Sequence, residues 1–198
     1  MIETIEQLEA LYGTPKPPSL VKVVDHITAE YGAFIKLSPF VALSTVGPEG
    51  LDCSPRGDDG QVVFIEDDKT LVLPDRRGND RIDSLRNIVR DPRVSLMFLV
   101  PGSSMVVRVN GTGRISAAPD LLQRYSKSGK DPRSVILITV QEIYFQCARA
   151  IMRADLWNGP VEANLPTAGE ILSSITDGAV GGADYDKTWP ERAAKTMW

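Results

Sequence analysis

The stretch FVALSTVGPEGLDCSPRG, residues 40–57, decides the fold class because it has the pattern of a β-hairpin. FVALSTV is typical of a strand, GPEG of a turn, and LDCSPRG of the returning strand. Five later segments are also typical of strands: QVVFIE, TLVLP, RVSLMFLV, MVVRVNGTGRI and SVILITVQEIYFQCA. Short turns connect most of them, which favours antiparallel pairing over a parallel sheet. We therefore expect a mainly β protein with flanking helices, in which six or seven strands form an antiparallel barrel.

Helices are predicted on both sides of this strand-rich part. MIETIEQLEALYG is typical of an amphipathic helix that ends at Gly13. A second helix is predicted over residues 19–31, with Ser19 as its N-cap.

The chain divides into three segments within a single structural domain. An N-terminal helical segment covers residues 1–32, the strand-rich core covers 33–158, and a C-terminal helix with a glycine-rich tail covers 159–198. Trp189 and Trp198 in that tail favour an arm laid on a partner over a loose end.

Composition limits the classes of function. The chain has 198 residues, 42% of them hydrophobic and 24% charged, which is typical of globular proteins. No apolar run approaches the roughly 20 residues that cross a bilayer, and the N-terminus lacks the features of a signal peptide. We therefore expect a cytoplasmic protein with no membrane partner. The net charge of −4 disfavours nucleic acid as a partner, and the single histidine, His26, disfavours a zinc site, a Ser-His-Asp triad or a haem site.

An arginine-rich stretch runs counter to the acidic charge of the chain. LPDRRGNDRIDSLRNIVRDPR, residues 73–93, predicts a helix with Asn79 as its N-cap. Arg76 and Arg77 then precede the positive end of the helix dipole, where a bound anion would relieve their repulsion. The stretch predicts a phosphate site, and the alternative is an exposed helix face with loose ion pairs.

Two weaker signals lie elsewhere. SPRG places Ser54 and Arg56 at the end of a predicted strand, and CARAIMRADLW places Arg149 and Arg153 four residues apart after another strand. The alternatives are a strand-end turn and a surface helix turn. The chain has no phosphate-binding glycine loop, no dinucleotide fingerprint and no nucleophile–base pair, so a cofactor would have to supply any difficult chemistry.

These signals occur in an order that resembles the pyridoxamine 5′-phosphate oxidase-like family of FMN-binding split barrels. The resemblance covers about residues 34–157 and is closest to a branch of probable FMN-dependent proteins of uncertain substrate. Four segments carry it: FVALSTVGPEGLDCSPRGD, LVLPDRRGNDRIDSLRNIVRDPRVSLMF, MVVRVNG and VQEIYFQCARAIMRADLW.

The resemblance implies a six-stranded antiparallel split β-barrel, a homodimer and FMN bound at the subunit interface. It implies no metal. One subunit would contact the ribityl chain, the flavin ring and the phosphate, and the other would cover the ring. The implied cofactor-binding residues are Ser54, Arg56, Leu73, Pro74, Asp75, Arg76, Arg77, Asn79, Arg81, Cys147, Ala148 and Arg153.

Two departures from the family pattern concern the substrate. RAIMR places Ile151 where pyridoxamine phosphate oxidases have a histidine, and Met105 and Val106 stand where they have a glutamine. We therefore expect an FMN-dependent oxidoreductase that is not an efficient pyridoxamine 5′-phosphate oxidase. The alternatives are a non-catalytic flavin-binding or storage module and a reductase that uses the deazaflavin F420. A haem-handling split barrel is disfavoured by the lone histidine.

Overall fold

One antiparallel sheet of seven strands forms the centre of the molecule in a computed structural model that describes residues 1–159 and 165–197. The strands are β1 (Phe40–Gly47), β2 (Gly50–Gly57), β3 (Phe64–Ile65), β4 (Thr70–Asp75), β5 (Arg93–Leu99), β6 (Val106–Ser116) and β7 (Ser134–Gln146). Their order across the sheet is β2-β1-β5-β6-β7-β4-β3. The prediction of a mainly β protein with antiparallel pairing and flanking helices is confirmed. Among the described residues the sheet is open, because no pairing joins its two edge strands.

The predicted hairpin of residues 40–57 is present. β1 pairs with β2 from Phe40 opposite Gly57 to Gly47 opposite Gly50. Alternate side chains of β1, including Val41 and Leu43, are fully buried in the main hydrophobic core, as a strand with one face on the core requires. Side chains also alternate between the two faces of the sheet along β2, so those at every second position of β2 lie on the same face.

A bulge between Asn110 and Gly111 shifts the register of β6 against β7. Gly111 is required there because a Cβ atom would collide with the backbone carbonyl oxygen of Thr139. Extra twist at a bulge helps a sheet to curve around its core.

Eight helices flank the sheet in the described residues. They are α1 (Ile5–Tyr12), α2 (Pro17–Val21), α3 (Ala29–Leu37), α4 (Asp83–Arg90), α5 (Pro119–Arg124), α6 (Arg149–Ala154), α7 (Ala168–Ile175) and α8 (Ala183–Thr196). The first ends at Gly13 as predicted, where φ is 68°. Trp189 lies on α8, whereas Trp198 lies outside the described residues, so the predicted arm remains a prediction.

The prediction of one helix over residues 19–31 is wrong. Two helices occupy this region, and the segment between them is held by Val24, which forms an antiparallel bridge with Ile143 of β7. The Val24 amide donates to the Ile143 carbonyl oxygen at 3.1 Å, and the reverse bond is 2.8 Å. This tertiary pairing overrides the local helical pattern. Ser19 therefore lies inside α2, and Thr28 caps α3 by accepting a hydrogen bond from the Tyr31 amide.

Candidate cofactor site

The ends of β2 and β4 lie close together, and three of the predicted phosphate residues lie on them or directly after them. Arg56 is near the end of β2, and Asp75 is the last residue of β4, followed by Arg76 and Arg77. An ion pair between Arg76 and Asp58 joins the two strand ends, with 3.0 Å between Arg76 Nε and an Asp58 carboxylate oxygen. The fold therefore brings together arginines that are about 20 positions apart in the sequence.

Asp58, Arg76 and Lys127 form a buried charge cluster, called here the Asp58 cluster. The Asp58 side chain is only 3% exposed and also accepts a hydrogen bond from Lys127 Nζ at 2.5 Å. Arg76 Nη1 donates to the Tyr125 carbonyl oxygen at 2.7 Å. Because these groups satisfy one another, the cluster holds together the segments that follow β2, β4 and α5.

Arg56 has a different environment. Its Nη2 donates to Ser84 Oγ at 3.3 Å and its Nη1 to the Pro55 carbonyl oxygen at 3.1 Å. Its Nε is buried, with no hydrogen-bond partner in the described residues. A buried donor without an acceptor costs about 1–3 kcal/mol. An anionic ligand group beside Arg56 would supply the missing acceptor, so this side chain fits the phosphate role that the sequence predicts.

Hydroxyl and carboxylate groups surround Arg56. Ser84 Oγ, in the first turn of α4, donates to an Asp52 carboxylate oxygen at 2.7 Å. Ser54 Oγ donates to the same oxygen at 3.0 Å. Ser54 is therefore near Arg56 as predicted, but it is engaged with Asp52. Ser84 was missed by sequence reasoning because only the packing of α4 against β2 brings it to Arg56.

Asp75 lies at the end of β4, opposite Ser134 of β7 in the sheet register. Partial burial raises the pKa of its carboxyl group above the ordinary value of 3.8. The positive charges of Arg56 and Arg133 act in the opposite direction, and the negative charge of Asp80 adds to the rise. The charges of two guanidinium groups thus act on the Asp75 carboxyl group.

Leu73 and Pro74 precede Asp75 with buried side chains. Both pair with β7, opposite Ile136 and Val135, whereas β3 pairs only with Leu71 and Val72. In the described part of the chain, the other backbone edge of residues 73–75 has no strand partner. The family resemblance implies backbone contacts to a flavin ring here, and an open strand edge is compatible with such contacts.

A cavity of about 150 Å³ lies next to the Asp58 cluster. Most of its lining is basic: Arg76, Arg77, Lys127, Lys130, Asp131, Pro132 and Arg133. Arg133 Nη1 pairs with an Asp80 carboxylate oxygen at 2.8 Å. Three of these cations come from KSGKDPR, residues 127–133, and were missed by sequence reasoning, although three basic residues in seven were a usable signal.

Asn79 and Arg81 were expected at the phosphate site, but their side chains have local hydrogen-bond partners instead. The predicted cap at Asn79 is wrong, because α4 begins only at Asp83, with Ile82 in the N-cap position. Asp80 and Ile82 have φ values of 60° and 54°, which interrupt a right-handed helix. Asn79 Oδ1 instead accepts from the Arg81 amide, and Arg81 Nε pairs with an exposed Asp83 carboxylate at 2.8 Å.

The remaining predicted residues lie at the opposite end of β7. Cys147 is exposed, Ala148 occupies the N-cap position of α6, and Arg153 Nε donates to the Arg149 carbonyl oxygen at 3.1 Å. The 13 residues of β7 separate this group from Asp75. A strand of that length extends about 40 Å at roughly 3.3 Å per residue. The two groups therefore lie at opposite ends of the 13-residue strand β7.

The sequence matches the model of one known protein family. The family model of the pyridoxamine 5′-phosphate oxidase matches residues 27–147, which is more than half of the chain. The chain belongs to the pyridoxamine 5′-phosphate oxidase family. The matched range contains all seven strands and α4, and thus the strand ends that carry Arg56 and Asp75.

Solved structures show similarity at the level of the fold. A putative pyridoxamine 5′-phosphate oxidase from Lactobacillus delbrueckii is 21% identical, with a TM-score of 0.50 over 61% of this chain and 95% of that one. HupZ from Group A Streptococcus is 23% identical, with a TM-score of 0.48 over 59% of this chain and 91% of that one. An FMN-binding protein from Syntrophomonas wolfei is 16% identical, with a TM-score of 0.46 over 59% of this chain and 83% of that one. No curated protein matches the sequence significantly.

Residues 1–159 and 165–197 contain neither a candidate membrane-spanning helix nor a candidate metal cluster. None of the helices there combines the length and apolar character needed to cross a membrane. The same residues contain no cluster of three or more His, Cys, Asp or Glu side chains that could bind a metal ion.

Proposed function

We propose that this member of the pyridoxamine 5′-phosphate oxidase family binds FMN and acts as an FMN-dependent oxidoreductase. The observation that carries the proposal is the buried Nε of Arg56, which has no hydrogen-bond partner within residues 1–159 and 165–197. It lies near the start of α4 and the end of β4, where the sequence predicts the phosphate. An anionic ligand group would satisfy this donor by a charge-assisted hydrogen bond.

The proposed phosphate site consists of Arg56 and Arg77, with the Ser84 hydroxyl beside Arg56. Arg77 lines the basic cavity and makes no hydrogen bond through its side chain in the described residues. Arg76 has a different role in this proposal, because Asp58 and Tyr125 already accept two of its hydrogen bonds. Arg76 thus positions the neighbouring segments, and Asn79 and Arg81 contribute only the turn before α4.

The flavin part of FMN is proposed to lie along residues 73–75, with its phosphate toward Asp75 and Arg56. The open backbone edge of these residues would orient it, and the buried Leu73 and Pro74 side chains would keep that edge rigid. When bound, the flavin supplies hydride or electron transfer. The chain binds and orients the cofactor and excludes water from one side of it.

A homodimer of split-barrel subunits would complete the site. Because Cys147, Ala148 and Arg153 lie at the opposite end of β7 from Asp75, we assign them to the cover of the flavin bound to a second subunit. Closed two-fold dimers are the commonest protein assemblies. Sedimentation equilibrium is expected to give a dimer that binds FMN, whereas a monomer with the same FMN affinity would contradict this part of the proposal.

The proposed activity excludes efficient oxidation of pyridoxamine 5′-phosphate. RAIMR on and around α6 presents the partly buried Ile151 and the exposed Met152, neither of which can bind a polar substrate group. Each lost polar contact costs about 1–3 kcal/mol. We expect little hydrogen peroxide when the FMN-loaded protein is mixed with pyridoxamine 5′-phosphate, and several turnovers per minute would overturn this expectation.

The absorption spectrum of the purified protein, together with an FMN titration, tests cofactor binding. A bound flavin gives visible absorption bands, and these bands stay with the protein through gel filtration. Denaturation of the protein should then release the flavin as FMN. A protein that neither carries flavin nor takes it up in the titration would refute the proposed function. The rate of flavin reduction by NADH and by NADPH, measured without oxygen, then distinguishes an oxidoreductase from a storage module. Slow reduction by both donors would favour the storage module.

A further inference from the structure

Asp75 is an acidic side chain that the proposed phosphate site leaves unexplained. Its carboxylate makes no hydrogen bond in the described residues, and Arg56 Nε makes none either. Both groups are at the joined ends of β2 and β4, close enough for the charge of Arg56 to act on Asp75. An unsatisfied donor and an unsatisfied carboxylate in one place indicate that a third group completes the arrangement.

We propose that Asp75 binds the FMN phosphate as a neutral carboxylic acid, so that cofactor binding takes up one proton. This inference rests on the proposed function. A phosphate oxygen would accept a hydrogen bond from Arg56 Nε and another from the protonated Asp75 carboxyl group. The proton comes from solvent, and no covalent bond changes.

The charges around Asp75 favour proton uptake when the phosphate binds. Arg56 faces it from β2, Arg133 precedes Ser134 at the start of β7, and Asp80 belongs to the turn before α4. Without ligand, the two arginines favour an ionised Asp75. A phosphate would neutralise Arg56 and bring its own negative charge, which would disfavour a second anion at the same place. Arg133 is already paired with Asp80 at 2.8 Å and compensates little of that repulsion.

Partial burial acts in the same direction even before the ligand binds. It raises the pKa of Asp75 above 3.8, and burial is the largest cause of that rise. The carboxyl group is therefore easier to protonate than an exposed aspartate. The consequence is a cofactor affinity that increases as the pH falls, in the interval between the pKa of Asp75 in the free protein and its pKa in the complex.

The test compares the pH dependence of FMN affinity in the wild-type protein and in Asp75→Asn. The phosphate group loses its second negative charge near pH 6, which affects both proteins equally, so the ratio of their dissociation constants isolates Asp75. We expect this ratio to change by up to about tenfold per pH unit in favour of the wild type as the pH falls. Asp91→Asn, at the far end of α4, is the matched control and should follow the wild type.

Two further measurements complete the test. Calorimetric titration with FMN in buffers of different ionisation enthalpy should show proton uptake by the wild-type protein in excess of Asp75→Asn. Riboflavin, which lacks the phosphate, should give no such difference.

The possible failures are distinct. Parallel FMN profiles in the wild type and Asp75→Asn, or an equal difference with riboflavin, would overturn the role of Asp75 and leave the proposed function intact. A wild-type protein that binds no FMN at any pH would overturn the proposed function, and this inference with it.

Discussion

Two groups of charged residues at the joined ends of β2 and β4 differ in how their hydrogen bonds are satisfied. In the Asp58 cluster, Arg76 and Lys127 donate to one carboxylate that is only 3% exposed. Around Arg56, a buried N–H has no acceptor in the described residues, and the Asp75 carboxylate accepts no hydrogen bond from them. The first group is satisfied within one chain, whereas the second is the group to which we assign the proposed ligand.

The difference shows that the presence of an arginine in a basic segment does not define its role. Arg76 and Arg77 are adjacent in the sequence and line the same cavity. Arg76 donates hydrogen bonds to Asp58 and Tyr125, and the phosphate site proposed here therefore uses Arg77 and Arg56. The predictions below test this separation of structural from ligand-binding charges.

Asp58→Ala is expected to have the largest effect, on stability. It removes the carboxylate that pairs with Arg76, whose side chain is only 14% exposed. Breaking a buried ion pair by removal of one partner costs about 3–5 kcal/mol. Urea unfolding measures the loss, and Glu49→Ala, which breaks an exposed pair with Arg90, should cost no more than about 1 kcal/mol. Equal losses in the two variants would show that the Asp58 cluster does not hold the fold together.

Arg77→Ala is expected to affect the ligand rather than the fold. One charge-assisted hydrogen bond is worth about 1.5–3 kcal/mol, so FMN affinity should fall roughly ten- to a hundredfold. Riboflavin affinity should stay nearly constant, and the free energy of unfolding without ligand should change by about 0.5 kcal/mol at most. A similar loss for FMN and riboflavin would argue against phosphate binding by Arg77.

Asp75→Asn is expected to stabilise the ligand-free protein at neutral pH by less than Asp58→Ala destabilises it. The folded-state pKa of Asp75 lies above 3.8. Its contribution to stability is therefore fully present below the unfolded-state pKa and is lost as the pH rises through the folded-state pKa. The advantage of the asparagine should appear over that interval and vanish in more acidic solution. Thermal unfolding across pH measures it, and a destabilising effect at neutral pH would show that the arginines outweigh burial.

Arg93→Ala is expected to have the smallest effect. Its hydrogen bonds to Asp91 lower the pKa of that carboxyl group to about 2. Both side chains lie at the surface, where solvent screens the pair, so unfolding should hardly change. NMR titration should show the Asp91 pKa rising toward its ordinary value of 3.8. An unchanged pKa would mean that the pair does not persist in solution.

The sheet could be predicted from the sequence because strand alternation and turn residues are local signals. The hairpin of residues 40–57 and the strand regions of β4 to β7 follow such patterns. The break near Val24 could not, because its bridge to Ile143 joins residues more than 100 positions apart. The start of α4 was predicted at the wrong residue because the local pattern of NDRI does not predict the left-handed backbone at Asp80 and Ile82.

The candidate site was predictable in its composition but not in its division of roles. An arginine cluster before a helix pointed to an anion, and Arg56 and Arg77 remain suitable for it. That Arg76 serves the fold depends on Asp58 and Lys127, which lie 18 positions before it and 51 after it. These partners depend on how the strand ends pack together in the folded protein, and local sequence patterns do not predict that packing.

The ratio of FMN affinity to riboflavin affinity, compared between the wild-type protein and Arg56→Met, tests the central claim most directly. Methionine fills a similar volume and removes the Nε donor, and Arg90→Met on the exposed end of α4 is the control. The account predicts a ratio about ten to a hundred times smaller in Arg56→Met and unchanged in Arg90→Met. An unchanged ratio in Arg56→Met would contradict the claim that the unsatisfied arginine of β2 binds the cofactor phosphate.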